Sequence, residues 1–376
     1  MQKPCGVLHL TDTLVAGGKE RVVVNLVNHL PREWYQPLLC TTRCDGPLSK
    51  ELASDVISLH LGRRHLLYVK ALRLLVLFIR QHNIQILHAH GPSVFVATIA
   101  GLFPPFPAVV WHIHDGGMAN SGPPSLAYRL MARRAKGIIT VNQALADWVC
   151  LTSLMPSDRV DYFPNFIGTY NEIRSKTTLP GDEGCRIVCL ANLLPVKDHA
   201  TLLRAMSQVI LEHPKAHLVL VGSTGDTDCL LAIEKEISIA GLAQHISILG
   251  YRKDVLSILR TCDIGVLSSK AEGFPMALLE YGMAGLPTVA TQVGQCPEVL
   301  DYGRAGMLVP PGSPDQLAQA LMELLRSPER RQCLGKQLNL HVQETYNQQR
   351  ILEKFCQFYR KVLGGSENAV PFFIRH

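Results

Sequence analysis

The chain has 376 residues, 47% of them hydrophobic and 18% charged, which is enough for two domains with full cores and too apolar for long disordered tails. Its net charge of +6 is unevenly placed: residues 1–168 carry 16 Lys+Arg against 10 Asp+Glu, and residues 169–376 carry 21 of each, so an anionic partner is expected of the first half. Eleven cysteines with no CxxC pair and no zinc-spaced Cys/His cluster exclude a metal-ribbon scaffold and point to a reduced, cytoplasmic compartment.

The opening MQKPCGVLHL runs straight into a strand pattern, without the apolar region and cleavage site of a signal peptide. Short Val/Ile/Leu-rich runs then alternate with helix-period segments, the pattern of βαβ units with buried parallel strands. Strands are expected at Gly6–Leu10, Pro37–Thr41, Val56–His60, Ile84–His88, Ala108–His112 and Gly137–Val141. A second set is expected at Arg186–Leu190, His217–Val221, Ile246–Leu249, Asp263–Leu267, Pro287–Ala290 and Met307–Val309. The stretch Val94–Trp111 is apolar enough to raise a membrane span, but Pro104, Pro105 and Pro107 divide it into a short helix and a strand. Gly168–Gly184, polar and without apolar periodicity, reads as a linker. No fixed-period repeat is present.

The first strand leads through Gly17 and Gly18 into a helix with Val23, Leu26, Val27 and Leu30 at helical spacing. Paired glycines there allow either a tight turn or a close approach of backbone N–H groups to phosphate. Past the fifth strand, alternation sends His112 and His114 to one side, where open α/β sheets bind ligands, and His114 is favoured because it abuts Asp115 and two glycines. In the second half, Asn192 to Asp198 follows a strand, and Lys197 is placed to reach a phosphate or to be a solvated loop lysine. The segment Ser268–Glu280 is the most specific. Glu272 lies in a loop that turns through Gly273, Phe274 and Pro275, and Glu280 lies two helical turns on, an acid among apolar neighbours that needs a partner. Gly294 to Glu298 forms a further loop at the next strand end. Asp226-Thr227-Asp228 has the form of a metal-holding DxD but reads as a helix cap.

Together these segments resemble the family-4, glycogen-synthase-like glycosyltransferases of the GT-B fold: two Rossmann-like, doubly wound parallel-sheet domains facing across a cleft. The resemblance rests on Gly17-Gly18, His114-Asp115-Gly116, Val141-Asn142, Pro164-Asn165, Leu220-Val221-Gly222, Ile248 to Tyr251, the Glu272-Gly273-Phe274-Pro275 to Glu280 element, and Val293-Gly294 to Pro297-Glu298. It implies a retaining transferase that moves a sugar from a nucleoside-diphosphate sugar to an acceptor hydroxyl, with no metal and no other cofactor. By the same resemblance Glu272 contacts the donor sugar, Glu280 the ribose and Lys197 the diphosphate. His114 lies near sugar and acceptor, and Gly17 and Gly18 border the diphosphate. The expected domains are 1–168, joined by a crossover helix from about 346 to 376, and 169–345. The family's usual arginine five residues before the lysine is Asn192 here, so either another group such as Arg21 compensates for the missing charge or turnover is slower than usual.

On the acceptor side, Lys70, Arg73 and Arg80 lie on the apolar segment Leu66–Gln81, Arg63 precedes it on the same helical phase, and Arg129, Arg133 and Lys136 form a second stripe with Arg134 beside it. They suggest an anionic membrane face presenting a saccharide or lipid-linked acceptor, as in bacterial cell-surface polysaccharide or lipopolysaccharide synthesis, with the enzyme peripheral on the inner face of the cytoplasmic membrane. An ordinary buried helix with a solvated basic edge is the alternative. Nucleic acid is not an expected partner. A nucleotide-sugar epimerase or hydrolase, or an idle nucleotide-sugar-binding protein, are the competing functions. A dehydrogenase is excluded by the lack of GxGxxG with an acid about 20 residues on.

Overall fold

The computed structural model describes residues 3–65, 68–120, 122–168 and 177–365. The chain divides into two compact units, one drawn from residues up to 168 and from 348 onward, the other from 169–347. The linker expected at Gly168–Gly184 therefore lies partly outside the described residues, as do Leu66 and the end of the chain beyond 365.

The first unit runs β1 (Cys5–Thr11), α1 (Gly18–His29), β2 (Tyr35–Thr41), β3 (Ile57–His60), α2 (Val69–Gln81), β4 (Ile84–His90), α3 (Val94–Ala100), β5 (Ala108–Ile113), α4 (Leu126–Arg134), β6 (Gly137–Thr140), α5 (Gln143–Leu151) and β7 (Val160–Tyr162). Its seven strands are all parallel, in the order β3-β2-β1-β4-β5-β6-β7. Strand β7 is absent from the sequence expectation: at three residues with Asp161 in the middle, it has neither the length nor the apolar run that marks the others.

The second unit runs β8 (Arg186–Leu190), α6 (His199–Glu212), β9 (His217–Val221), α7 (Thr227–Ile239), β10 (Ile246–Gly250), α8 (Val255–Thr261), β11 (Ile264–Leu267), α9 (Met276–Ala284), β12 (Thr288–Thr291), α10 (Cys296–Val299), β13 (Met307–Val309), α11 (Pro314–Arg326) and α12 (Pro328–Thr345). Its six strands are again parallel, in the order β10-β9-β8-β11-β12-β13. Strands β9, β11 and β12 are buried on both faces, which is why they read as continuous runs rather than an alternation.

The last helix, α13 (Gln348–Val362), belongs to the first unit. Ile351, Leu352, Phe355, Cys356 and Tyr359 form its buried stripe. Tyr35 Oη donates to the Cys356 carbonyl at 3.1 Å, and Phe355 meets Phe163 edge-on. Tyr346 stays in the second unit, its ring edge-on to Phe274.

In each sheet the strand order reverses once, between β1 and β4 in the first and between β8 and β11 in the second. Neighbouring loops diverge to opposite faces at such a point and leave a crevice beyond the carboxyl ends of the strands. Among the described residues no helix is long and apolar enough to cross a membrane, and all eleven cysteines are free thiols.

Candidate functional site

At the reversal point of the second sheet, the loop after β8 and the loop after β11 are joined by an ion pair. Lys197 Nζ lies 2.5 Å from Glu272 Oε1, and Ser269 Oγ donates to the same oxygen at 2.6 Å. The Glu272 side chain is 8% exposed and that of Lys197 22%. Backbone bonds hold the two loops in register: Ser268 Oγ donates to the Lys197 carbonyl at 2.9 Å, and the Lys270 amide to the Val196 carbonyl at 2.8 Å. A third loop closes against them. Gly294, with a φ of +51°, passes so near that a Cβ there would stand 2.0 Å from the Glu272 carbonyl oxygen. Beyond it, burial and then the Glu272 carboxylate raise the thiol pKa of Cys296, which marks the Gly294–Glu298 loop as close to the acid.

Glu280 is carried half-buried on α9, and the helix is pinned by its neighbour. Tyr281 is fully buried. It accepts from the Leu190 amide at 2.7 Å and donates to the Val266 carbonyl at 3.1 Å, so one hydroxyl ties α9 to β8 and β11 at the reversal point. Gly265 leaves the space its ring occupies: a Cβ there would be 2.8 Å from the Tyr281 ring. Pro275 precedes the first turn of α9, and Phe274 turns its ring into packing against Tyr346. Phe274 therefore anchors the turn, and what the Gly273-Phe274-Pro275 segment offers a ligand is backbone. Asn192 accepts from the Ser223 amide at 2.9 Å, joining the β8 and β9 loops. Asp226 accepts from the Cys229 amide at 2.9 Å as the cap of α7, the role its sequence context suggests.

In the first unit, Gly17 stands at the N-cap of α1 and Gly18 opens the helix. Behind them Glu20 is buried, accepting from Thr13 Oγ1 at 3.3 Å and lying 3.1 Å from Lys19 Nζ. Arg21 is paired with Glu51. That pairing engages its guanidinium within the first unit. The cation near that turn is Lys19, whose side chain packs by Gly91 and whose charge acts on His114.

His114 stands half-buried after β5 and is bonded through its Nε2 to Nδ1 of His90 at 2.9 Å. His112 does not share its exposure. It is fully buried, with Nδ1 3.2 Å from Nε2 of His88, which leaves His114 as the one of the two rings that solvent reaches. Burial, with the neighbouring rings, keeps both imidazoles well below the usual histidine pKa and hence neutral, and Lys19 adds to the effect at His114. His9, His88 and His90 extend this cluster and were not singled out from the sequence. The signal was present: His88-Ala-His90 ends β4 as His112-Ile113-His114 ends β5, and His9 is paired with His88 across β1.

Arg63 departs from the basic stripe. It lies before α2, is 8% exposed, and bonds Asp12 and Thr42 at 3.4 Å. Arg80 Nε donates to the Pro104 carbonyl at 2.9 Å. Lys70 and Arg73 remain exposed on α2, and Arg133 and Arg134 on α4. An open cavity of about 990 Å3, lined by Asn83, Ala108, Arg134, Lys136 and Leu363 among others, lies at the opposite, amino-terminal ends of the first sheet's strands and is separate from the site built here.

Comparison with known proteins bears on these two half-sites. Residues 16–169 match the family described as Glycosyltransferase Family 4, and residues 184–327 match Glycosyl transferases group 1. The N-acetyl-alpha-D-glucosaminyl L-malate synthase of Bacillus anthracis is 27% identical over 182 residues, covering 48% of this chain and 47% of that protein. A GDP-mannose-dependent monoacylated alpha-(1-6)-phosphatidylinositol monomannoside mannosyltransferase of Corynebacterium glutamicum is 29% identical over 170 residues, 43% of each chain. The matched regions thus span somewhat under half the length of these relatives. Among solved structures, Anabaena Alr3699/HepE, determined in complex with UDP and glucose, has a TM-score of 0.80 at 18% identity, covering 95% of this chain and all of that one, which shows a common GT-B fold. With both halves matched in order and the same two-sheet architecture, the chain belongs to the family 4, group 1 glycosyltransferases.

Proposed function

We propose that this protein transfers a sugar from a nucleoside-diphosphate donor to an acceptor hydroxyl with retention of anomeric configuration, the second unit holding the donor. The observation that carries the reading is the Lys197–Glu272 pair at the sheet's reversal point, where a cation and a carboxylate are kept 2.5 Å apart by converging loops. As the bond from the anomeric carbon to diphosphate breaks, negative charge grows on the departing oxygen and positive charge on the sugar. A fixed ammonium lowers the energy of the first, and a carboxylate can accept from sugar hydroxyls. Glu280 supplies acceptors for ribose hydroxyls, and in the first unit Gly17 and Gly18 at the start of α1 and the half-buried His114 are the candidate ligand-facing groups. The scheme invokes no metal, the positive charge at the departing diphosphate coming from Lys197. The binding of UDP and glucose by the Anabaena protein and the GDP-mannose dependence of the Corynebacterium relative support a nucleotide-sugar donor.

The acceptor is proposed to be a lipid-linked saccharide met at an anionic membrane surface, with the enzyme cytoplasmic and peripheral. Between residues 56 and 146 there are nine Lys+Arg and one acid, Asp115. Helices α2, α3 and α4 contain no acid, and α3 touches both of the others. Val69 on α2 and Leu126 on α4 are 75% and 73% exposed beside Lys70, Arg73, Arg133 and Arg134. Exposed apolar groups interspersed with unopposed cations suit a headgroup layer better than water. The lipid in the Corynebacterium relative's acceptor agrees with this placement.

The decisive experiment incubates the enzyme with uridine, guanosine and adenosine diphosphate sugars, with and without candidate acceptors, and reads the anomeric configuration of the product by NMR. Transfer with retention supports the proposal. Conversion of donor alone to another sugar nucleotide, or to free sugar, would assign the epimerase or hydrolase reading instead.

A further inference from the structure

Five histidines from three adjacent strands and the loop beyond form two hydrogen-bonded chains. In one, His9 Nδ1 lies 3.1 Å from His90 Nε2, and His90 Nδ1 lies 2.9 Å from His114 Nε2. In the other, His112 Nδ1 lies 3.2 Å from His88 Nε2, and His88 Nδ1 meets Tyr359 Oη of α13. The rings of the two chains stack on one another, with His88 and His90 4.4 Å apart and 7° from parallel. Only His114 reaches the surface; the other four rings are fully buried.

Each link needs one N–H and one lone pair, and a neutral imidazole has one of each, so fixing one end of the chain fixes all of it. The inner end is the nitrogen that decides. His9 Nε2 is buried and has no hydrogen-bond partner among the described residues. If the chain donated inward, from His114 to His90 to His9, that nitrogen would carry an N–H with no acceptor, which costs about 1–3 kcal/mol and is rare in folded proteins. If it donates outward, His9 Nε2 keeps only an unfilled lone pair, the cheaper defect. Both chains are buried and stacked, and Lys19 stands beside the outer ring, so an extra proton on any member is disfavoured.

We propose that His90 is a positioning residue: it donates its Nδ1–H to Nε2 of His114 and thereby fixes His114 as the neutral tautomer that presents Nδ1–H outward. This rests on the reading of His114 as a ligand-facing group and sharpens it. The lone pair of His114 is filled from behind, so the ring is a hydrogen-bond donor, suited to a sugar hydroxyl or phosphate oxygen, and is not a general base. The outer-shell logic is the one that orients metal-bound or catalytic histidines through their second nitrogen.

The test reads the tautomer directly. In protein labelled with 15N-histidine, without donor or acceptor, the His114 signal should show a protonated Nδ1 and an unprotonated Nε2 at neutral pH. An asparagine amide can place an N–H where Nδ1 of His90 stands, and a glutamine amide reaches the Nε2 position instead. His90→Asn should therefore preserve the His114 tautomer and the turnover number. His90→Gln should lose the tautomer and lower kcat about 10–100-fold, the usual effect of losing an outer-shell partner, with thermal unfolding showing both variants folded. A protonated Nε2 on His114 in the wild-type protein, equal effects of the two substitutions, or one zinc ion retained per chain between the rings would overturn the proposal. Because the tautomer is measured without sugar transfer, its failure is separable from a failure of the transferase reading.

Discussion

Lys197 and Glu272 are each ordinary as single residues, and their meaning comes from the 2.5 Å between them. Lys197→Ala is expected to lower kcat about 100-fold, in line with removal of one charge-stabilising donor, while leaving the fold intact. Steady-state transfer with the preferred donor checks this, and unaltered turnover would remove Lys197 from the leaving-group role. Gly294 makes a second residue-scale case. With φ at +51° and no room for a Cβ beside Glu272, Gly294→Ala is expected to cost about 1–3 kcal/mol of stability and to weaken donor binding together. Chemical denaturation and nucleotide titration would measure the two effects, and a loss of stability with normal donor affinity would detach this loop from the site. Glu280 drew attention as a carboxylate among apolar residues and Glu272 as the acid of a Gly-Phe-Pro turn, but the pairing of Glu272 with Lys197, 75 residues away, was set only by the fold. The histidine cluster was only half legible: His114 stood next to glycines, but His9, His88 and His90 sit inside strands, where a sequence read for periodicity registers them as part of the run. The pairing of Arg21 with Glu51 was not legible, because the two are 30 residues apart, a distance that only tertiary structure closes.

The elements explain why the second-unit residues converge. Loops after β8 and β11 come from strands that are neighbours in space but lie on opposite sides of the order reversal, so their divergent helices leave the pair between them. Strands of the second sheet were legible to within one residue, because burial on both faces writes itself as an uninterrupted apolar run. The helix α2 was legible as an element and misleading as a surface. Extrapolating its phase backward assigned Arg63 to a stripe, whereas α2 begins at Val69 and the Arg63 guanidinium is buried on Asp12. The exposed cations left on α2 and α4 for the proposed membrane contact are Lys70, Arg73, Arg133 and Arg134. Reversing these four to Glu is expected to abolish cosedimentation with anionic vesicles, each original cation contributing about 1 kcal/mol near such a surface. Binding that survives the reversal would return α2 and α4 to the role of solvated edges.

Across the whole molecule, buried neutral histidines tie stability to pH. Burial lowers His9 to a pKa of about 3 and His199 to about 4, and lowers the other ladder rings in the same direction, from an ordinary value of 6.5. In the unfolded chain these rings take up protons as pH falls through 6.5, and in the folded chain they do not. Their stabilisation is thus complete above pH 6.5 and is lost progressively toward pH 3–4, by up to about 1.4 kcal/mol per pH unit for each ring. Denaturation at about pH 7.5 and pH 5.5 isolates this effect from the carboxylates, which titrate lower. An unfolding free energy equal at the two values would mean that the rings are protonated or hydrated in the native state.

The position of α13 has a consequence for synthesis. Tyr359 and Phe355 are core residues of the unit that is translated first, yet they are among the last residues of that core to leave the ribosome. The earlier half of the polypeptide must wait, its sheet unsealed beside His88 and Phe163, while the later half already has every strand it needs. The second unit is therefore complete in sequence before the first, and a released chain ending at residue 347 should show a protease-resistant second unit joined to a first unit that is still readily cut.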